Sequence, residues 1–439
     1  MRGRKRILAG LMMLLFLASA GCGGTKPTSA DYQRGNKGNR HVYSIMKAEN
    51  GYYYGKSGYN SSLELHYYDS KNGRNMYLCN KPECCHDGNE FCAATSDRYN
   101  VTGMVLYGDD IYINAVERTG TAYQFKLLRA SGDGSSLSEV TTYFETDNKE
   151  RLPGYLHNLP NGMTIHKNKA FLTYSLFNPA NRDIGVCGTA IYDLQTGELT
   201  YLGEKDMDFT EVDINFCGCG DYMYFVRSKG SRKQLYRYSY SDGSLEKIPL
   251  KNNFRGQYAL YDENTCFYIK DGGDVYLYKH DTGESRKVED KEWIGVWLDI
   301  QTKEGVERRE LTRGAIESLL SDGEYVYVAE QMSFDEHFFT STSYIREVDG
   351  EMVNLPIDYG EVIILDKEGR LVNEVKVGTK ELLGYNEYFT LHFTEDTVYM
   401  QTSVMVYECS KADFVAGNAN FKEAYPLDVD IISRKEKAQ

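Results

Sequence analysis

The sequence predicts an all-β fold, a single β-propeller of seven four-stranded blades, with six or eight as the margin. Three observations lead there. Tyrosine is unusually common, at 37 of 439 residues, while proline and tryptophan number 8 and 2; tyrosine suits half-buried strands. No long stretch carries the apolar spacing of a helix. A paired-strand unit recurs along the chain, and such a period implies stacked modules.

The recurring unit is a short alternating strand, a tight Asp/Gly turn and a second alternating strand. It reads "LHYYDSKNGRNMYL", "KLLRASGDGSSLSEV", "AIYDLQTGELTYL", "LYRYSYSDGSLEKI", "VYLYKHDTGESRKV" and "VIILDKEGRLVNEV". Its turn glycines are Gly73, Gly134, Gly197, Gly243, Gly283 and Gly369, placed where a tight hairpin demands positive φ. Upstream of each lies an aromatic strand: "ENGYYYG", "GDDIYIN", "KNKAFLT", "GDYMYFV", "ENTCFYI" and "DGEYVYV". A seventh, "EDTVYMQ", has no clear partner turn. A lone four-stranded sheet cannot bury both faces, but radial packing against neighbours can do so. Blades are expected to start near residues 41, 101, 160, 212, 256, 315 and 385. Residues 299–315 read as an insertion, with a short helix through Ala315 to Leu320. "HVYSIMKA", residues 41–48, is expected to add a strand to the last blade, where "FKEAYPLDV" lies.

The N-terminus reads "MRGRKRILAGLMMLLFLASAGCGG". Arg2, Arg4, Lys5 and Arg6 precede an apolar run from Ile7 to Ala18. That run falls short of the roughly 20 residues that span a bilayer and matches a secretory signal. The "SAGC" segment resembles the lipobox of bacterial lipoproteins. That resemblance implies cleavage before Cys22 and a diacylglycerol on its thiol. Residues 1–21 are then a lipoprotein signal peptide, 22–40 a lipidated flexible tether and 41–439 the propeller domain. Membrane lipid, held through Cys22, is one expected partner, and the location is extracytoplasmic, on the outer face of the cell membrane. Removing four positive charges takes the formal balance from −14 to −18. So acidic a domain argues against nucleic acid, which selects for basic patches.

The densest chemistry is "CNKPECCHDGNEFC", residues 79–92. Cys79, Cys84, His86 and Cys92 make a C-x4-C-x-H-x5-C series, with Cys85 extra. Thiolates and an imidazole suit a structural zinc with four protein ligands. Disulfides are the competing reading, since oxidation is permitted outside the membrane; free thiols are the third. By chain order the block follows the outermost strand of the first blade, so it connects to the second blade on the face opposite the Asp/Gly turns. That face also carries two long loops, residues 175–189 and 330–360, and long loops on a rigid scaffold tend to carry function.

Other candidates carry less. Phe334, Asp335, Glu336, His337, Phe338 and Phe339 lie in the longer loop and suit a sugar- or peptide-binding rim. Cys217 and Cys219 share one side of a strand by period-two geometry, near Cys187, and read as filling between blades. Cys266 and Cys409 read as core. His157, His166 and His392 would have to converge near the axis to serve a lyase. Catalytic residues are unknown, and no serine-hydrolase elbow, H-E-x-x-H, P-loop or dinucleotide fingerprint is present.

The lipobox, the Tyr-rich strands with "DG" turns and the Cys/His block together resemble uncharacterised β-propeller lipoproteins of Gram-positive anaerobes. That resemblance implies fold and location but no activity. The expected function is a binding or interaction module for a glycan, peptide or partner protein, leaning away from an enzyme. The alternative is an extracytoplasmic carbohydrate-active lyase or hydrolase using the axial pocket.

Overall fold

The strands read as apolar on both sides, so each must be covered twice. Met223 and Phe225 point into one hydrophobic cluster and Tyr224 and Val226, one residue out of phase, into another. Phe267 and Ile269 alternate in the same way with Cys266 and Tyr268. Period-two geometry sends successive side chains to opposite faces, and each sheet therefore needs a neighbour on either side. The computed structural model describes residues 45–426 apart from connecting stretches, the longest being 148–161, 289–296, 331–342 and 379–389.

Seven antiparallel four-stranded units follow one another along the chain. They cover residues 45–77, 95–147, 163–201, 211–247, 254–287, 316–378 and 390–426. Each unit packs on the next. Clusters join blades one and two, two and three, three and four, four and five, five and six, and six and seven. A seventh cluster, of Tyr54, Tyr399 and Val406, joins the first blade to the last. The ring is thereby closed, and the fold is a seven-bladed β-propeller. Burying one Phe or Leu in such a seam contributes about 1.5–3 kcal/mol.

Among the described residues the two ends share no strand. Ile45–Ala48 pairs with Gly51–Ser57 in the first blade, across a two-residue connection, and does not join the last blade as the sequence suggested. A hairpin to the nearest strand closes a far shorter loop than pairing across the whole chain would. Closure rests on side chains: the hydroxyls of Tyr52 and Tyr399 lie 2.9 Å apart, with their rings edge to face.

Four features depart from the repeat or from what the sequence suggested. Ile316–Ser321, expected as a helix, is a strand paired with Val326–Glu330; periodicity alone cannot sort so short an apolar run. The inserted segment before it is a hairpin, Trp297–Thr302 with Gly305–Glu310. In the last blade the missing Asp/Gly turn is replaced by a short helix, α1, Lys411–Val415, capped by the Ser410 side chain, which accepts from the Asp413 N–H. Lys411 on this helix reaches back to the sixth blade, 2.5 Å from Asp322 and 2.9 Å from Glu324. The long loop expected at 175–189 is mostly strand: Lys169–Asn178 and Asn181–Asp193 pair from Lys169↔Asp193 to Asn178↔Asn181. Buried Leu176 packs in the seam between blades two and three, with Val186 beside it.

His280 marks the seam between blades four and five. Its ring sits against Tyr224 and Tyr278, and Nε2 is buried without a hydrogen-bond partner. Burial, reinforced by the Arg237 charge, pushes its pKa down to about 4 from the ordinary 6.5. The neutral ring is therefore the form the fold accepts. Above pH 6.5 the ring is neutral whether folded or unfolded, and stability is full. Below it the unfolded chain takes up the proton first, so stability falls down to about pH 4. Denaturant unfolding across that window should show the loss, and His280→Phe should flatten that share of it; an equal slope in the variant would refute the assignment.

Candidate metal centre

Residues 79–92 bridge the first blade's outermost strand, Arg74–Tyr77, and the second blade's long first strand, Thr95–Tyr107. One residue clasps both ends of the loop. The Leu65 carbonyl accepts from the Leu78 N–H at 2.9 Å, and the Leu65 N–H donates to the Ala94 carbonyl at 2.7 Å. Such a loop with adjacent ends is compact by construction. Thr95–Tyr107 also pairs with two blades, through Leu63↔Ser96 on one side and Leu106↔Ile111 on the other. The loop thus sits where the first blade is stitched to the second. It also rests on the second blade's turn, where the Asn80 N–H donates to the Gly134 carbonyl at 3.0 Å. A Cβ on Gly134 would stand 2.9 Å from the Cys79 nitrogen, so this close seating requires glycine.

Local chemistry shapes the loop. Lys81-Pro82-Glu83-Cys84 is a tight turn with Cys84 N–H donating to the Lys81 carbonyl at 3.2 Å, and proline suits its second position. His86 takes a left-handed backbone, φ 54°, which histidine tolerates better than most residues. Gly88 follows at φ 81°, and its N–H donates to Thr95 Oγ1 at 3.1 Å. The Thr95 N–H in turn donates to Cys92 Sγ at 3.3 Å.

These turns bring the four spaced ligands together. The sulfurs of Cys79, Cys84 and Cys92 and a ring nitrogen of His86 all lie within 4.8 Å of one another. His86 Nδ1 is 3.6 Å from Cys92 Sγ. Burial works against ionising Cys79, but N–H groups of Ala93 and Lys81 and the thiols of Cys84 and Cys92 take its pKa below the ordinary value. The His86 N–H favours the Cys84 thiolate, but burial and the neighbouring sulfurs of Cys92 and Cys79 push that thiol up to about 11. Three sulfurs this close cannot all ionise unaided; a cation among them removes the conflict. The cluster is one that could hold a metal ion. Cys85 faces outward, exposed.

Sequence reasoning singled out the clustered residues and missed their supports. His86 stacks on Tyr77 at 4.6 Å, Tyr77 lies tilted against His66 at 4.7 Å, and His66 stacks on Tyr54 at 5.2 Å. This ladder of rings crosses the first blade from the cluster to the closing seam. Tyr54, His66 and Tyr77 occupy facing positions on adjacent strands, a relation that appears only once the register is known.

Among the described residues the other candidates do not assemble. Phe334, Asp335, Glu336, His337, Phe338 and Phe339 lie outside the described residues, as do Cys22 and His157. Cys187 is buried and its thiol donates to the Glu211 carbonyl at 2.7 Å. Cys219 and Cys266 fill the seam between blades four and five, with Cys217 packed at its edge; Cys409 lies in the seam of blades six and seven. His166 is buried between blades three and four, its Nδ1 2.7 Å from the Tyr240 hydroxyl. His392 pairs with Tyr399 in the last blade.

No protein-family model matches the chain, and no curated protein was found similar to it. Similar solved structures include puromycin hydrolase, at 10% identity and TM-score 0.48, covering 92% of this chain and 56% of that one. Dipeptidyl peptidase 4 of Porphyromonas gingivalis matches at 10% identity and TM-score 0.42, over 92% of this chain and 61% of that one. The β-propeller domain of the Trilobed protease from Pyrococcus furiosus matches at 10% identity and TM-score 0.40, over 74% and 83%. This chain thus spans less than two thirds of the length of the first two. Similarity this distant adds nothing to what its own sheets and seams establish.

Gly88 offers a direct test of the loop. Its φ is positive, and a Cβ would stand 2.9 Å from the Asp97 carboxyl carbon. Gly88→Ala should destabilise the chain by about 1–2 kcal/mol from the left-handed backbone alone, as read by denaturant unfolding. A variant as stable as the parent would mean that the loop does not hold this backbone.

Proposed function

We propose that this chain is a lipid-anchored extracytoplasmic propeller that serves as a binding module for a glycan, peptide or partner protein. Its 79–92 loop holds one structural zinc ion. The observation that carries the reading is the complete ligand set. Three sulfurs and one imidazole nitrogen converge, which fills a tetrahedral zinc site and leaves no open position for a reacting water. Thiolate and imidazole donors suit zinc over magnesium or calcium. Around tetrahedral zinc, with Zn–S of about 2.3 Å and Zn–N of about 2.0 Å, sulfur and nitrogen stand roughly 3.5 Å apart. The His86–Cys92 spacing of 3.6 Å fits that edge. The N–H groups of Ala93, Lys81 and Thr95 that point at the sulfurs are the second layer such ligands need. The densest reactive group in the chain is thereby assigned to architecture, and the rigid ring is left to present its connecting loops to a partner. Among the described residues no helix is long and apolar enough to cross a membrane. The anchor in this reading is the lipid on Cys22, supported by the "SAGC" segment.

Metal analysis of the chain, purified in detergent without chelator, should return one zinc per molecule. Its loop thiols should react with alkylating reagents only after chelation, and chelation should lower the melting temperature. A metal-free chain with unreactive cysteines would make the loop a disulfide knot and end the zinc reading.

Cys22→Ser should move the protein from the membrane fraction to the soluble fraction and abolish incorporation of labelled fatty acid. Unchanged fractionation would end the anchoring reading.

A further inference from the structure

Zinc needs three of the four thiols in the loop, and the fourth is placed differently. Cys85 adjoins the ligand Cys84 and is the one exposed cysteine among the described residues. The five described cysteines elsewhere are buried or half-buried and pack in seams between blades or donate to backbone. The sulfurs of Cys79, Cys84 and Cys92 lie within 4.8 Å of one another. Three thiols can form one disulfide and leave one over; four can form two.

We infer that the loop is a thiol–disulfide exchange site, at which a small-molecule disulfide converts the zinc centre into two disulfides and expels the ion. This rests on the zinc reading above. Neighbours in sequence stand about 3.8 Å apart at Cα, closer than the roughly 4.4–6.8 Å a disulfide prefers. Cys84 and Cys85 therefore do not pair with each other. The products are Cys79–Cys84 with Cys85–Cys92, or Cys84–Cys92 with Cys79–Cys85.

The chemistry balances. Exposed Cys85 attacks the first small disulfide, RSSR, forming a Cys85–SR bond and releasing one thiolate. A ligand thiolate, Cys79 or Cys92, then attacks the Cys85 sulfur and displaces the second thiolate, and the metal loses that ligand. The two remaining ligand thiolates react with a second RSSR by the same two displacements. Four cysteine sulfurs give up one electron each, and the two RSSR leave as four RSH. One of their protons comes from Cys85 and three from solvent. His86 alone cannot retain the ion. The loop stays pinned by Leu65 at both ends, so the scaffold is stapled by metal when reduced and by disulfides when oxidised.

The test treats the full chain, in detergent, with oxidised glutathione beside a zinc-sensitive dye, followed by peptide mapping. Before treatment one zinc is counted. Afterwards one zinc per chain should be released with two disulfides inside 79–92, and dithiothreitol with added zinc should restore the starting state. Cys85→Ser should release zinc at least tenfold more slowly and leave one of Cys79, Cys84 and Cys92 open to N-ethylmaleimide. Glutathione carried on Cys85 with the zinc retained would overturn the exchange alone, as would release from Cys85→Ser at the parental rate. A chain without zinc before any oxidant overturns both the exchange and the zinc reading.

Discussion

Everything in this molecule depends on burying both faces of a thin sheet. A four-stranded sheet whose strands are apolar on both sides, as with Met223-Tyr224-Phe225-Val226, exposes a full face unless it is covered twice. The cheapest cover is another copy of the same sheet. Repeating that solution seven times brings the last blade back to the first, and the ring closes because no face may stay open. Tyrosine is common for the same reason: its ring helps to fill a seam while its hydroxyl finds a backbone carbonyl. Tyr258 does so with Asn215 and Tyr201 with Tyr143.

The seams are unequal, and the Cys/His loop lies beside the most unusual of them. Between blades one and two the backbone itself crosses over, because Thr95–Tyr107 pairs on both sides. That crossing needs the incoming chain held in place before its strand begins. Leu65 supplies the hold with its two backbone groups, and Cys79, Cys84 and Cys92 continue it, packed within the same cluster as Leu63, Leu65 and Ala94.

Most of the ring was legible in the sequence because its signals are local. A turn glycine such as Gly243 and the alternation around it name a hairpin without reference to anything distant. The first strands begin at 45, 95, 163, 211, 254, 316 and 390, within six residues of where those signals place them. The Cys/His cluster was legible for the same reason: its four members share fourteen residues. What escaped was everything set by pairing partner. Ile45–Ala48 could have joined either end of the ring, and only the short hairpin decides. Leu65 and Tyr77 look ordinary in sequence; their roles come from register, which brings Leu65 to both ends of a loop that starts fourteen residues later. Ile316–Ser321 escaped because six residues are too few to separate a strand from a helical turn.

The closing seam has one more consequence, for the order in which the molecule can assemble. Each of the first six seams joins neighbours along the chain and can form as soon as its second blade has left the ribosome. The seventh cannot. Tyr52 must wait for Tyr399, 347 residues later, and until then both end blades carry a naked face. Contacts so remote are slow to form, and open sheets are vulnerable to mispairing with other chains in the interval. Among the described residues this seam has a buried core of three residues, Tyr54, Tyr399 and Val406, and it is the joint the ring makes last.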